Sequence, residues 1–160
     1  MMDHVTEHSG DRPATPKELT ALAGRAAAAA VRERRFSLPS PKAGQWLGVR
    51  EREMVSMTEA GLLYAFTLVD GEPRWPAWQF AYGRPLPHLA AVVAAIPAGS
   101  HPPGVRTLMT TPHPDLVYTL PLDDIIQPLI PEIPRSPATW LLDGGEVGLV
   151  LALLAAAGAI

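Results

Sequence analysis

Residues 40–61 read SPKAGQWLGVREREMVSMTEAG, and few folds accommodate that stretch. Ser40 and Pro41 supply a cap and a first helical position, and Ala43, Trp46 and Leu47 form one apolar stripe at helical spacing. Gly48 stops this helix, because glycine enters the left-handed region without steric cost. Residues 50–60 then resume a helical pattern, with Met54 and Met57 on one side and Arg52, Val55, Ser56 and Glu59 on the other. Gly61 closes it. Two short helices joined by a glycine turn can share one apolar seam.

After Gly61 the run LLYAFTLV has aromatic and β-branched character, VDGEP supplies an Asp-Gly turn, and RWPAWQF is a second extended stretch. Helix, turn, helix and hairpin in that order is the plan of a small winged helix, with the hairpin as its wing. The pattern resembles the MerR and excisionase type of DNA-binding domain. The matching residues are Ala43, Trp46, Leu47-Gly48-Val49, the second helix over 50–60, and Gly61-Leu62-Leu63. The resemblance implies that Arg50, Arg52, Val55 and Ser56 face the major groove and that Lys42 and Arg74 meet phosphates.

The flanks are of different character. Residues 1–16 are polar, contain Pro and Gly, and lack an apolar period, so they read as a loose leader without a secretion signal. Residues 17–35 carry strong helix formers behind Thr15 and Pro16, a cap and first-turn pair; with the linker they fill 17–39. The second half is helical and punctuated by proline. Helices are expected over 86–96, 104–111 and 146–158, the last capped by Asp143, with a short one at SPATWLL. Residues 112–137 hold too many prolines for regular structure beyond one turn near 123–127. Within 75–80, WPAWQF, the side chains of Trp75, Trp78 and Phe80 alternate into a core as a structural joint.

Charge divides the chain. Over residues 17–60 eight Lys/Arg stand against five Asp/Glu, while beyond residue 80 three Arg face six acids, so the two halves suit different partners. The final apolar run, 147–160, is well short of the ~20 residues that span a bilayer, which argues against a membrane segment. No cysteine is present, which removes disulfides, thiolate metal sites and a cysteine nucleophile and fits a reducing cytoplasm. His4 and His8 have helical metal-ligand spacing but sit in the leader, and His88, His101 and His113 stand apart among prolines. Asp123 and Asp124 are sequence neighbours that point apart in extended chain. With no phosphate loop and no nucleophile elbow, an enzyme is the least supported class, and neither a cofactor nor a metal is expected.

A second resemblance covers 75–158. It runs through Pro76-Ala77-Trp78-Gln79-Phe80, Gly83, Pro85, Leu86-Pro87, Leu89, the helix to Ile96, Thr111-Pro112, Leu116, Ser136-Pro137, Trp140-Leu141-Leu142 and Gly144-Gly145. This order is similar to the toxin-binding domain of Xre/MbcA/ParS antitoxins, the partners of RES-domain toxins that consume NAD. It implies an antitoxin that covers the toxin's cleft and represses its own operon by binding operator DNA, working as a homo-oligomer. The alternative is a phage- or excisionase-type regulator with no toxin partner. Leu149, Val150, Leu153 and Leu154 form part of a stripe on the last helix, and the safer reading packs most of it on the helix over 86–96. Leu149 and Leu153, with Ala159 and Ile160 as a free tail, are the expected toxin contacts. The fold expected is mainly α with a small β-hairpin wing: a winged helix-turn-helix over 40–80, then a small helical toxin-binding domain over 81–160.

Overall fold

The computed structural model describes residues 15–117 and 133–160, so most of the expected leader and the expected turn near 123–127 lie outside the described residues. The fold is mainly helical with a small antiparallel sheet. Helix α1, Pro16–Arg35, begins with a reciprocal cap in which the Thr15 hydroxyl accepts from the Glu18 N–H and the Glu18 carboxylate accepts from the Thr15 N–H at 2.7 Å. The Thr15 N–H, and with it the Thr15 hydroxyl, donates to the Glu18 carboxylate and holds it below its ordinary pKa. The helix ends in Arg32, Arg34 and Arg35, which suit the negative end of its dipole.

Strand β1, Ser37–Pro39, follows at once, where a linker was expected. It pairs antiparallel with β3, Pro73–Pro76, and β3 pairs on its other side with β2, Phe66–Thr67, giving the order β1-β3-β2. Leu38 lies opposite Trp75, and Phe66 opposite Arg74. Between β1 and β2 run α2, Ser40–Leu47, and α3, Glu51–Glu59, joined through Gly48 at φ 69°. The extended Pro39 holds the cap position of α2. Ser40 is therefore the first helical residue and not the cap, and its hydroxyl is buried without a hydrogen-bond partner among the described residues.

Chain geometry changes after β3. A single 3-10 turn, Ala77–Gln79, interrupts the extended stretch, so period-two alternation through Trp75, Trp78 and Phe80 does not occur. Trp75 and Phe80 are buried, Trp78 is half-buried, and the most deeply buried side chain of the joint is Gln79. Strands β4, Phe80–Ala81, and β5, Arg84–Pro85, then form a tight hairpin turned by Tyr82 and Gly83, both at positive φ.

Four helices follow among the described residues. Helix α4, Leu89–Ala95, starts later than expected because Pro87 and a left-handed His88 precede it. Helix α5, Pro102–Thr110, starts earlier, with its prolines in the first turn, where their missing N–H groups cost nothing. Helix α6, Pro137–Leu142, is capped by the Ser136 hydroxyl, which accepts from the Thr139 N–H. Asp143 ends α6 and does not cap α7, Val147–Ala157, whose cap position is Glu146.

Two apolar clusters form among the described residues. One joins Ala43, Met54, Leu63, Trp75, Phe80, Leu86 and Leu89; the other joins Val92, Val105, Met109, Leu116, Trp140, Leu141, Val150 and Leu154. Trp78 and Ala138 pack against both, so the joint over 75–80 welds the two halves. No helix among the described residues is long and apolar enough to cross a membrane.

Candidate nucleic-acid interface

Helix α3 has two unlike faces. Met54 is fully buried and Met57 half-buried, while Arg52, Val55, Ser56 and Glu59 all stand exposed on the other side. Arg50 occupies the cap position, where serine or an acid is favoured. It is served from the other direction, since the Glu53 carboxylate accepts the Arg50 N–H at 2.7 Å. That leaves the Arg50 side chain in solvent at the helix start. Lys42, near the start of α2, is exposed as well.

The orientation of α3 against the sheet is fixed by a short polar chain. The Trp75 indole N–H donates to the Thr58 hydroxyl at 3.0 Å, and that hydroxyl donates to the Met54 carbonyl at 2.8 Å. Between α3 and the β2–β3 hairpin lies a shallow cleft bordered by Val55, Thr58, Glu59, Phe66, Thr67 and Pro73. The hairpin tip carries Val69, Asp70 and Gly71. Arg34 of α1 pairs there with Asp70 and, at 3.5 Å, with Glu72.

Arg74 does not belong to this surface. Its residue is 7% exposed; the guanidinium donates to the Arg34 carbonyl at 2.9 Å, to the Ser37 carbonyl at 2.8 Å and to the Ser37 hydroxyl at 3.2 Å, and pairs with Glu72 at 3.4 Å. It straps β1 and the end of α1 to the central strand. A cation so fully paired is not available to a phosphate, and the expected phosphate contact is withdrawn.

Among the C-terminal helices the expected partner contacts separate. Val150 and Leu154 are fully buried, and α7 packs on α4, as the stripe implied. Leu149 remains exposed. Leu153 is half-buried and lines an apolar notch with Leu108, Pro112, Pro137 and Ala156. Ala159 is exposed, but Ile160 is not a free tail. Its carbonyl accepts the His101 N–H at the start of α5, its N–H donates to the Ser100 hydroxyl at 3.4 Å, and its side chain packs on the C-terminal cluster. A Cβ on Gly104 would lie 2.5 Å from the Ile160 carbonyl carbon, so this close approach requires glycine in α5.

Three polar links were not read from the sequence. The Gln79 side chain accepts the Tyr64 N–H at 2.8 Å and donates to the Tyr64 carbonyl at 2.7 Å, repairing two backbone groups inside the fold. Buried Glu33 pairs with Arg106 at 3.1 Å, and Arg106 lies over the Phe36 ring at 4.7 Å, joining α1 to α5. Burial, and secondarily the Glu33 charge, raise the Tyr64 pKa. Among the described residues no group of three or more His, Cys, Asp or Glu is placed to hold a metal ion.

No family model matches the chain, and no curated protein matches it. Among solved structures, the NMR structure of Rv2175c is similar with a TM-score of 0.53 and 19% identity, covering 76% of this chain and 80% of the other. At that identity the likeness is one of fold.

Proposed function

We propose that the chain is a DNA-binding transcriptional regulator in which α2 and α3 form a helix-turn-helix and the β2–β3 hairpin is its wing. The observation that carries the reading is the two-faced α3. Its anchored side is buried through Met54, and its outer side presents Arg52, Val55 and Ser56 beside the hairpin. The connectivity supports it too, because a strand before the two helices completes the sheet beneath them in the order β1-β3-β2. A helix held this way can enter the major groove as a rigid unit, with Arg50 and Arg52 reaching base edges and Lys42 a phosphate. Acids on the same helix, Glu51 and Glu59, argue for a selective contact and against general affinity for polyanions.

The test is retardation of duplex fragments from the region upstream of the gene. Arg52→Ala is expected to relax discrimination between sites by about 1 to 3 kcal/mol, while Lys42→Ala weakens all sequences alike and lowers the salt slope by about 1. Unchanged retardation by both variants would sink this assignment of the reading face.

The resemblance to RES-partner antitoxins adds a second task for the C-terminal helices, docking on a toxin. Exposed Leu149 and the notch beside Leu153 support that reading. Removing residues 145–160 would take buried Val150 and Leu154 with it, so substitution is the better probe. Leu149→Glu is expected to reduce capture of a co-expressed neighbouring RES-domain protein and leave DNA retardation unchanged. No capture by the intact chain leaves the regulator without a toxin partner.

A further inference from the structure

Among the described residues, α1 is the one long element whose apolar stripe the fold leaves largely in solvent. From Pro16 to Val31 its residues are exposed apart from half-buried Ala30, with Leu19 and Leu22 54% and 58% exposed. Its contacts with the rest of the chain gather at the last turn, through Glu33, Arg34 and the start of β1. Residues 19, 22, 26, 29 and 33 recur at alternating spacings of three and four and lie along one face. Those positions read Leu, Leu, Ala, Ala, Glu, large at the start and small toward the end.

We infer that this stripe is the interface between two copies of the chain, paired as antiparallel α1 helices. Size complementarity sets the direction. Antiparallel pairing places Leu19 against the partner's Ala29 and Leu22 against the partner's Ala26, so each large side chain meets a small one. A parallel pair would crowd leucines at one end and leave alanines facing a gap at the other. Charge agrees with the same register. The flank of the stripe carries Glu18, Arg25 and Arg32 at intervals of seven, and the antiparallel register sets Glu18 opposite the partner's Arg32 twice. Arg25 faces its own copy near the two-fold axis, where both chains remain open to water. The overlap covers residues 16–32 and stops before Glu33, which Arg106 already occupies. A contact of some 17 residues is about 25 Å long, smaller than the interfaces of permanent dimers, so the pair forms and dissociates with concentration.

The test uses the full chain and does not depend on DNA binding. Sedimentation equilibrium is expected to give a mass rising with concentration toward twice that of the chain. Leu19→Glu with Leu22→Glu, both at exposed positions, is expected to stay monomeric with unchanged circular dichroism. Arg32→Glu should weaken association at least several-fold and leave the circular dichroism unchanged. Because the chain holds no cysteine, single cysteines report direction cleanly. Ala23→Cys lies beside the two-fold axis and is expected to crosslink to its copy on oxidation, while Leu19→Cys sits about 15 Å from its copy, beyond disulfide reach. A monomer at every concentration, a dimer that survives the double glutamate variant, or crosslinking of Leu19→Cys as efficient as that of Ala23→Cys would overturn the inference.

Discussion

The two apolar clusters are built on different terms. The one around Met54 and Trp75 mixes strands with helices, and backbone groups there are met by side chains: Gln79 on Tyr64, Arg74 on Ser37, Thr58 on Met54. The one around Val105 and Leu154 is mostly aliphatic and mostly helical, its backbone bonds made largely within the helices, with Leu116 added from a loop and the Trp140 indole N–H donating to the Glu146 carbonyl at 2.9 Å. A helix satisfies its own peptide groups, whereas short strands and turns leave groups that something else must meet. The first cluster therefore depends more on a few specific polar atoms, and the second more on volume.

Substitutions can break or sharpen that contrast. Trp75→Ala removes the largest fully buried side chain together with its bond to Thr58, and a loss of about 3 to 5 kcal/mol is expected in urea unfolding. Gln79→Leu keeps the volume and removes the polar atoms. Stranding the Tyr64 N–H and carbonyl should cost about 2 to 4 kcal/mol, and a neutral result would erase the distinction between the clusters. The matching change in the aliphatic cluster, Leu141→Met, should cost less than about 1.5 kcal/mol by the same measurement.

The smallest effect concerns pH. The folded Tyr64 pKa is raised above the ordinary 10.0, so the unfolded chain releases the phenol proton first. The contribution of Tyr64 to stability is full below pH 10 and is lost as pH climbs toward the folded value. Tyr64→Phe should flatten that alkaline decline, seen as a smaller fall in urea midpoint above pH 10 than in the unsubstituted chain.

Legibility in the sequence followed locality. The bounds of α1, α2 and α3 were written in Thr15, Gly48 and Gly61, residues that act on the next few peptide groups. The outward set Arg52, Val55 and Ser56 followed from helical period alone. Strand β1 is three residues, too short to alternate, and exists because β3, more than thirty residues later, pairs with it. Arg74 misled for the same reason: its charge was visible, but not the acceptors from Arg34 and Ser37 that surround it. The docking of Ile160 depended on Gly104, and a glycine in the first turns of a helix does not name what it makes room for.

Glu33 and Arg34 are neighbours on a rigid rod, and neighbours on a helix point about 100° apart. One grips α5 through Arg106, the other grips the hairpin tip through Asp70. The end of α1 is thus a hub that fixes the angle between the hairpin and the C-terminal helices. A sideways force on α1 would load both contacts at once, in senses set by that angle, and the length of the rod beyond the body is the lever arm through which such a tilt would be applied.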